Sequence, residues 1–355
     1  MNIAFITSTH RWGGVKTWML EFGNELNKLG HSCYYFASDK NFIKKARENY
    51  HISHIIKFGA DYNIFAVKAF YSYFRKYKID IIICNIYKEI RTAGIAAKLL
   101  AIPVIHRVGL VGDLKNKIDV IINHKLIVDK ILVPCKGMKD KLVETFKFIK
   151  EQDVEYVYNG KIPYEKRSIM KTDPVRFVIT SKVEETKGHK DLFEALLKLD
   201  KEFNINFLCD IYGEGELEGW LDEQIKKYKL DSKIRLKGFS LGLGEILPNY
   251  HFGILTSYSE GFPNVVLEYL AAGLPVISTN IACIPELIEE SKNGFLYFPG
   301  NIDQLTKLLH KCCLMEKNCY KKMSLHAVNS IEKKFNLKKN AKLLSVFLEK
   351  IVRGE

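Results

Sequence analysis

The chain has 355 residues, 47% hydrophobic and 27% charged, which suits two domains with real cores and excludes disorder over most of its length. No run reaches the roughly 18 uninterrupted apolar residues of a membrane-spanning helix, and the eight cysteines have neither the spacing of a zinc site nor the density of a disulfide scaffold. The net charge of +13 is uneven, with 26 Lys+Arg against 16 Asp+Glu in residues 1–165, 16 against 20 in 166–300, and 12 against 5 in the last 55.

In chain order, Asn2–Ser8 is predicted as a buried strand; it lacks the basic flank and small-residue cleavage site of a signal peptide. Gly14–Leu29 repeats apolar residues at helical spacing and stops at Gly30. Cys33–Ser38, Ile79–Asn85, Pro103–Val108, Lys130–Pro134 and Val154–Asn159 follow as strands, with helical stretches between them. The stretch from Ile64 to Lys78 mixes aromatic and basic residues, which suits packing against a sheet and, less often, an anionic membrane surface. The rhythm breaks at Tyr158-Asn159-Gly160-Lys161-Ile162-Pro163, and a lysine-rich segment runs to Asp173-Pro174. A second series then begins: Arg176–Ser181, Ile205–Tyr212, Ile234–Lys237, Phe252–Thr256, Pro275–Ser278 and Gly294–Tyr297. After Lys334-Phe335-Asn336 the chain ends in an amphipathic basic helix, Leu337–Val352. Strands apolar on both faces belong to parallel sheets covered by helices. The expected fold is therefore α/β, two Rossmann-like doubly wound domains facing a central cleft at their strand carboxyl ends. The boundaries are 1–165 for the first domain, 166–334 for the second, and 335–355 for a helix returning to the first.

The densest chemical signal runs from Ser257 to Val276, after a buried strand. Pro263 suits the first turn of a helix, where its missing N–H costs nothing. The amides of Asn264, Val265 and Val266 then form an anion site at the helix start. Glu260 stands ahead of that helix and Glu268 in its second turn, so the two carboxylates reach different parts of one extended ligand. Taken singly, a solvated helix face explains Glu268 and a helix-dipole partner explains Glu260.

This string resembles the E-x7-E signature of retaining glycosyltransferases of the GT-B fold, the family 4 or group 1 type. Other stretches carry the same resemblance in order: Trp12-Gly13-Gly14-Val15, Tyr158-Asn159-Gly160, Lys187-Gly188-His189-Lys190-Asp191-Leu192, and Tyr212-Gly213-Glu214-Gly215. Leu236-Lys237-Gly238-Phe239, Ile284-Pro285-Glu286-Leu287-Ile288 and Asn293-Gly294-Phe295-Leu296 complete it. The resemblance implies that Glu268 accepts from the ribose hydroxyls of a nucleotide-diphosphate sugar. It implies that Glu260 sits by the transferred sugar and that Lys187 neutralises the diphosphate. Gly261, Phe262, Pro263, Asn264 and Val265 line the donor site, and the Gly13-Gly14 loop approaches the donor's sugar and phosphates. His106, at a strand end, lines up with a histidine near the reacting centre; a satisfied core histidine is the competing reading. The family has arginine where Lys182 stands, and lysine keeps the charge but loses the bidentate fork.

The implied activity is a retaining, metal-independent hexosyl transfer in cell-surface polysaccharide or lipopolysaccharide assembly. No Asp-x-Asp carboxylate pair is present to hold a metal, and no cofactor beyond the donor is expected. The second domain is expected to bind the donor and the basic first domain a glycan or lipid-linked acceptor. The charge split suits an anionic membrane surface and equally plain solubility. The expected location is cytoplasmic, peripheral on the inner membrane face. Nucleic acid is not expected, since no recognition motif accompanies the basic region. The competing functions are a nucleotide-sugar epimerase of the same fold, against which the E-x7-E string argues, and a non-catalytic nucleotide-sugar or glycan binding protein, toward which Lys182 leans.

Overall fold

The computed structural model describes residues 1–10, 12–168, 172–240 and 242–355. They divide into two compact units, Met1–Asn159 with Leu337–Glu355, and Gly160–Asn336. The first unit alternates β1 (Asn2–Thr7), α1 (Gly14–Lys28), β2 (Ser32–Ala37), α2 (Lys40–Glu48), β3 (Ile52–Ile55) and α3 (Ile64–Lys76). It continues through β4 (Ile81–Cys84), the short α4 (Tyr87–Glu89) and α5 (Ile95–Leu99), β5 (Val104–Arg107), α6 (Ile118–Leu126), β6 (Lys130–Val133), α7 (Lys136–Thr145) and β7 (Val154–Tyr156). The second unit runs β8 (Val175–Thr180), α8 (His189–Phe203), β9 (Phe207–Tyr212), α9 (Glu218–Lys227), β10 (Ile234–Gly238), α10 (Leu243–Ile246) and β11 (Phe252–Leu255). Then come α11 (Asn264–Ala271), β12 (Val276–Thr279), α12 (Ile284–Leu287), β13 (Gly294–Tyr297), α13 (Ile302–Leu314) and α14 (Lys317–Lys333). The chain ends in α15 (Leu337–Arg353), which belongs to the first unit.

Each unit is built on one all-parallel sheet, of order β3-β2-β1-β4-β5-β6-β7 in the first and β10-β9-β8-β11-β12-β13 in the second. In both, the strand order reverses beside the first strand of the unit: between β1 and β4, and between β8 and β11. Loops leaving the carboxyl ends there diverge and open a crevice. The fold class expected from the sequence, two Rossmann-like parallel-sheet domains, is the observed one.

The burial of the strands explains the pattern. β4, β5, β11 and β12 are buried at every position, as strands covered by helices on both faces must be. β3 escapes the sequence pattern because it is an edge strand that leaves Ile52 and Ile55 exposed. The aromatic stripe of α3 is a packing face: Ala66, Phe70 and Phe74 are buried, and Phe70 and Phe74 set their edges on Phe36.

The unit boundaries differ from the expected 165/166 and 334/335. Residues 160–168 are tied into the second unit by backbone bonds from Lys161 to the Phe335 carbonyl, Tyr164 to Ala271 and Ser168 to Ala272 (2.9, 3.0 and 2.9 Å). Phe335 is itself buried and packs its ring near Phe262. Beyond it, α15 sets Leu337, Ala341, Leu344 and Leu348 into the cluster of Trp18, Phe22 and Leu26 from α1. His31 adds a bond between its Nε2 and the Ser345 hydroxyl at 2.7 Å. No helix among the described residues is long and apolar enough to cross a membrane.

Adjacent residues of α15 provide a test. Leu344 is fully buried and Leu343 is 60% exposed. Leu344→Ala is expected to lower the urea-unfolding free energy of the first unit by about 2–5 kcal/mol, and Leu343→Ala to change it by no more than about 0.5 kcal/mol.

Candidate active site

The site in the second unit grows from the carboxyl ends of β8, β9 and β11. Beyond β11 the chain continues through buried Thr256 and Ser257 into the loop that carries Glu260, and then into α11. Tyr269, on the buried face of α11, accepts from the Thr180 amide at 2.7 Å, which fixes this helix to the end of β8. Beyond β8, a 3₁₀ turn at Glu185–Lys187 precedes α8, and Gly188 between them adopts φ +66°. A Cβ on Gly188 would stand 2.1 Å from the Thr256 carbonyl oxygen, so only glycine permits both the left-handed backbone and the close approach. The turn is held there by the Thr256 hydroxyl, which donates to the Lys187 carbonyl (2.6 Å), and by the Tyr258 amide, which donates to the Thr186 carbonyl (2.9 Å).

That approach sets Lys187 beside Glu260, with Nζ 2.7 Å from Oε1 and both side chains mostly buried. A second pair lies along α11, where Glu268 Oε1 is 3.1 Å from the ammonium of Lys161. Each glutamate of the E-x7-E string thus faces a lysine. Neither charge is left bare in a partly desolvated place, where a lone ion is costly.

Beside these pairs is a cavity of about 390 Å³, lined by Thr180, Ser181, Lys182, Tyr212, Gly213, Glu214, Phe239, Ser240, Leu243, Val265 and Glu268. Its size is within the range of small-molecule sites. Its rim is built by backbone in contact with backbone: a Cβ on Gly213 would be 1.8 Å from the Ser181 carbonyl oxygen. His189 holds the Ser181-Lys182 turn, with Nε2 2.9 Å from the Lys182 carbonyl and 3.0 Å from the Ser181 hydroxyl. Burial lowers the His189 pKa. The Lys182 side chain is exposed at this rim, and among the described residues no carboxylate is paired with it.

Of the residues expected at the donor site, Lys182, Val265 and Glu268 line this cavity, Lys187 and the expected catalytic Glu260 pair outside its lining, and Gly261, Pro263 and Asn264 are not among the lining residues. Three details differ. Pro263 is the residue capping α11, not its first helical position. The Val266 amide, expected to be open, donates to the Pro263 carbonyl at 3.1 Å. Phe262 is buried against Phe335 and does not line the cavity. Sequence reasoning misses Lys161 and His189 as site residues. Lys161 is far from Glu268 in sequence, and only the return of the 160–168 segment joins them. His189 lies in the Lys187-Gly188-His189 string, and its spacing from Lys182 is the signal that could have found it.

The first unit presents a different arrangement at its own switch point. Gly13 caps α1 in extended backbone, and a Cβ there would meet nothing within 4 Å, so the loop is open at this point. Behind it Lys16, 1% exposed, reaches the Asp39 carboxylate at 2.5 Å and the His10 carbonyl at 3.2 Å. Burial works against the charged Asp39, yet the Lys16 and Asn41 hydrogen bonds outweigh it and hold the pKa below the usual value. His106 is not an open strand-end group: it lies inside β5, buried, with Nδ1 3.0 Å from His124 and Nε2 3.3 Å from the Asn85 carbonyl. Burial, reinforced by His124, pushes its pKa down to about 3. Glu89 accepts from the amides of Ser8 (2.7 Å), Asn85 (2.5 Å) and Ile86 (3.2 Å), tying the ends of β1 and β4 together. Its burial raises the pKa to about 7 in spite of these bonds.

Two outcomes are expected. A histidine kept neutral in the fold contributes stability that is full above pH ~6.5 and is lost as the pH falls toward the folded value. His106→Gln is therefore expected to reduce the acid dependence of urea unfolding by about 1.4 kcal/mol per pH unit between about pH 6 and 5. Glu89 acts with the opposite sign, its contribution being lost as pH rises through about 7, but it is common to both proteins. Lys161→Met leaves Glu268 without the 3.1 Å partner and is expected to lower the stability of the second unit by about 1–3 kcal/mol. Lys161→Arg should restore most of it, and equal stability of the three proteins in urea would count against the pair.

Two families match the chain, "Glycosyl transferases group 1" over residues 161–329 and "Glycosyltransferase Family 4" over residues 12–161. Among curated relatives, the putative colanic acid biosynthesis glycosyltransferase WcaL of Salmonella typhimurium is 27% identical over 186 residues, covering 50% of this chain and 46% of its own. The lipopolysaccharide 1,6-galactosyltransferase of Salmonella typhimurium is 27% identical over 195 residues, 52% of each chain. The chain spans about half the length of the curated relatives it matches. Among solved structures, a glycosyltransferase from Rickettsia africae has a TM-score of 0.88 at 19% identity, over 100% of this chain and 99% of that one. The Anabaena protein HepE in complex with UDP has a TM-score of 0.83 at 15% identity, over 99% and 100%. At such identities the structures share the fold. With both halves matched, residues 12–161 and 161–329, the chain belongs to the group 1 glycosyltransferases.

Proposed function

We propose that this chain transfers a sugar, with retention of configuration and without a metal, from a nucleotide-diphosphate sugar to a hydroxyl of a glycan or lipid-linked acceptor. The observation that carries the reading is the pair of Lys–Glu contacts, Lys187–Glu260 and Lys161–Glu268, beside a cavity rimmed by Lys182. The cavity takes the nucleoside, with Glu268 accepting from its ribose hydroxyls. Lys187 and Lys182 face the diphosphate, whose charge grows as the glycosidic bond breaks, and cations fixed there lower the barrier. Glu260 holds sugar hydroxyls next to the developing positive charge. A front-face course follows, in which the departing phosphate takes the acceptor proton. Structures sharing the fold support a uridine nucleotide, since HepE is seen with UDP and with UDP-glucose.

The relatives in colanic acid and lipopolysaccharide synthesis support a role in cell-surface polysaccharide assembly, and the basic first 165 residues support work at the inner membrane face from the cytoplasm. The acceptor falls to the first unit.

The deciding experiment is a thermal-shift panel of nucleoside diphosphates and their sugars. A ligand at about 100 times its Kd adds about 2.7 kcal/mol to the native state. One nucleotide class is expected to stabilise the protein, and Glu268→Ala and Lys187→Ala to abolish the shift. Consumption of that donor, with an axial or equatorial linkage matching the donor's by NMR, would establish the retaining transfer. Stabilisation without consumption in the presence of acceptor glycans would make the protein a binding protein instead.

A further inference from the structure

We propose that Tyr212 selects the base of the nucleotide in the second unit's cavity. Its hydroxyl accepts a hydrogen bond there and donates none, so the cavity prefers a base whose ring nitrogen carries hydrogen, as in uracil or guanine, over cytosine or adenine. The inference rests on the proposed function for the presence of a nucleotide in this cavity, and on four side chains for the choice of base.

Tyr212 ends β9 and lines the cavity. Two residues earlier on the same strand, and so on the same face of the sheet, is the buried Asp210. Arg235 is its register partner on β10 and donates to both carboxylate oxygens, Nε to Oδ1 at 2.7 Å and Nη2 to Oδ2 at 3.1 Å. Tyr250, buried just ahead of β11, sets its hydroxyl 2.5 Å from Asp210 Oδ2. The Tyr250 and Tyr212 hydroxyls are 3.1 Å apart, with the two rings edge to face. A carboxylate interrupts the apolar pattern expected of a strand covered on both faces. Here it anchors a chain of bonds that leads to the cavity wall.

The direction of each proton in this chain is fixed. A carboxylate facing a guanidinium only accepts, so Tyr250 gives its one proton to Asp210. Burial, and after it the bonds to Asp210 and Tyr212, raises the Tyr250 pKa, which keeps that proton in place. The Tyr250 oxygen can then meet Tyr212 only as an acceptor, and Tyr212 must be the donor. Tyr250 is not a lining residue, so the single Tyr212 proton is committed away from the cavity. Only lone pairs remain on its oxygen, which among the described residues has no other partner. An N–H meets those lone pairs favourably, whereas a bare ring nitrogen sets lone pair against lone pair. Uracil N3 and guanine N1 carry hydrogen; cytosine N3 and adenine N1 do not. A site built to bond one group rejects the analogue that lacks it.

The test is isothermal titration of the purified protein with UDP, GDP, CDP and ADP. UDP or GDP is expected to bind at least about tenfold more tightly than CDP and ADP. Tyr212→Phe, which keeps the ring and removes the oxygen, should weaken the favoured nucleotide and reduce the difference to about threefold or less. Tyr250→Phe keeps Tyr212 but frees its proton to turn toward the cavity, so CDP and ADP should bind more tightly than they do to the unchanged protein. That gain separates a fixed proton direction from a merely structural role, since lost support would weaken all four nucleotides alike. Circular dichroism checks that both variants are folded. CDP or ADP binding as tightly as UDP and GDP, a preference that survives Tyr212→Phe, or no gain for CDP and ADP in folded Tyr250→Phe overturns the inference and leaves the donor reading standing. Binding of none of the four overturns both.

Discussion

The site in the second unit depends on one close approach, that of the turn before α8 to the end of β11. Gly188 lies so near the Thr256 carbonyl that a methyl group would overlap it at 2.1 Å. The contact fixes the Lys187 backbone, and with it the lysine that meets Glu260. It also fixes the start of α8, where His189 turns back to hold the Lys182 carbonyl and the Ser181 hydroxyl. The ends of β8 and β11, neighbours at the point where strand order reverses, are thereby locked into one rigid rim. Preorganisation of this kind is what lets charged groups act on a ligand without first rearranging.

The pairs Lys187–Glu260 and Lys161–Glu268 illustrate how such a rim stays stable when it is rich in charge. Each partner is mostly buried, and the desolvation cost of either alone would strain the fold. Opposite charges at contact offset that cost locally. The arrangement also lets a carboxylate sit on a helix whose remaining face is core: Glu268 lies between buried Leu267 and Tyr269.

The switch point of the first unit uses charge differently. Lys16 and Asp39 form a buried pair behind the glycine loop, Glu89 gathers backbone amides from the ends of β1 and β4, and burial lowers the pKa of both His106 and His124. These groups hold strand ends and loop entries in place. Arg107, stacked 4.1 Å over the Trp18 ring, is another buried cation serving the same end, its pKa lowered by burial to about 10.

The sequence by itself determined the parallel α/β class, because strands covered on both faces must be apolar throughout and helices between them must be striped. It also singled out the loop that carries the two paired glutamates, since Glu260, Pro263 and Glu268 are local to one strand–loop–helix stretch. Tertiary structure decided the rest. Lys161 becomes the partner of Glu268 only through the backbone bonds that tie its segment to Phe335 and α11, and those bonds also move the boundary to 159/160. His106 reads as a strand-end group in one dimension, yet α6 supplies His124 over it and closes it from solvent. The exposure of Ile118, Ile122 and Leu126 on α6 was equally invisible, because periodicity shows that a helix has an apolar face but not which way it points; that depends on what the neighbouring elements leave uncovered.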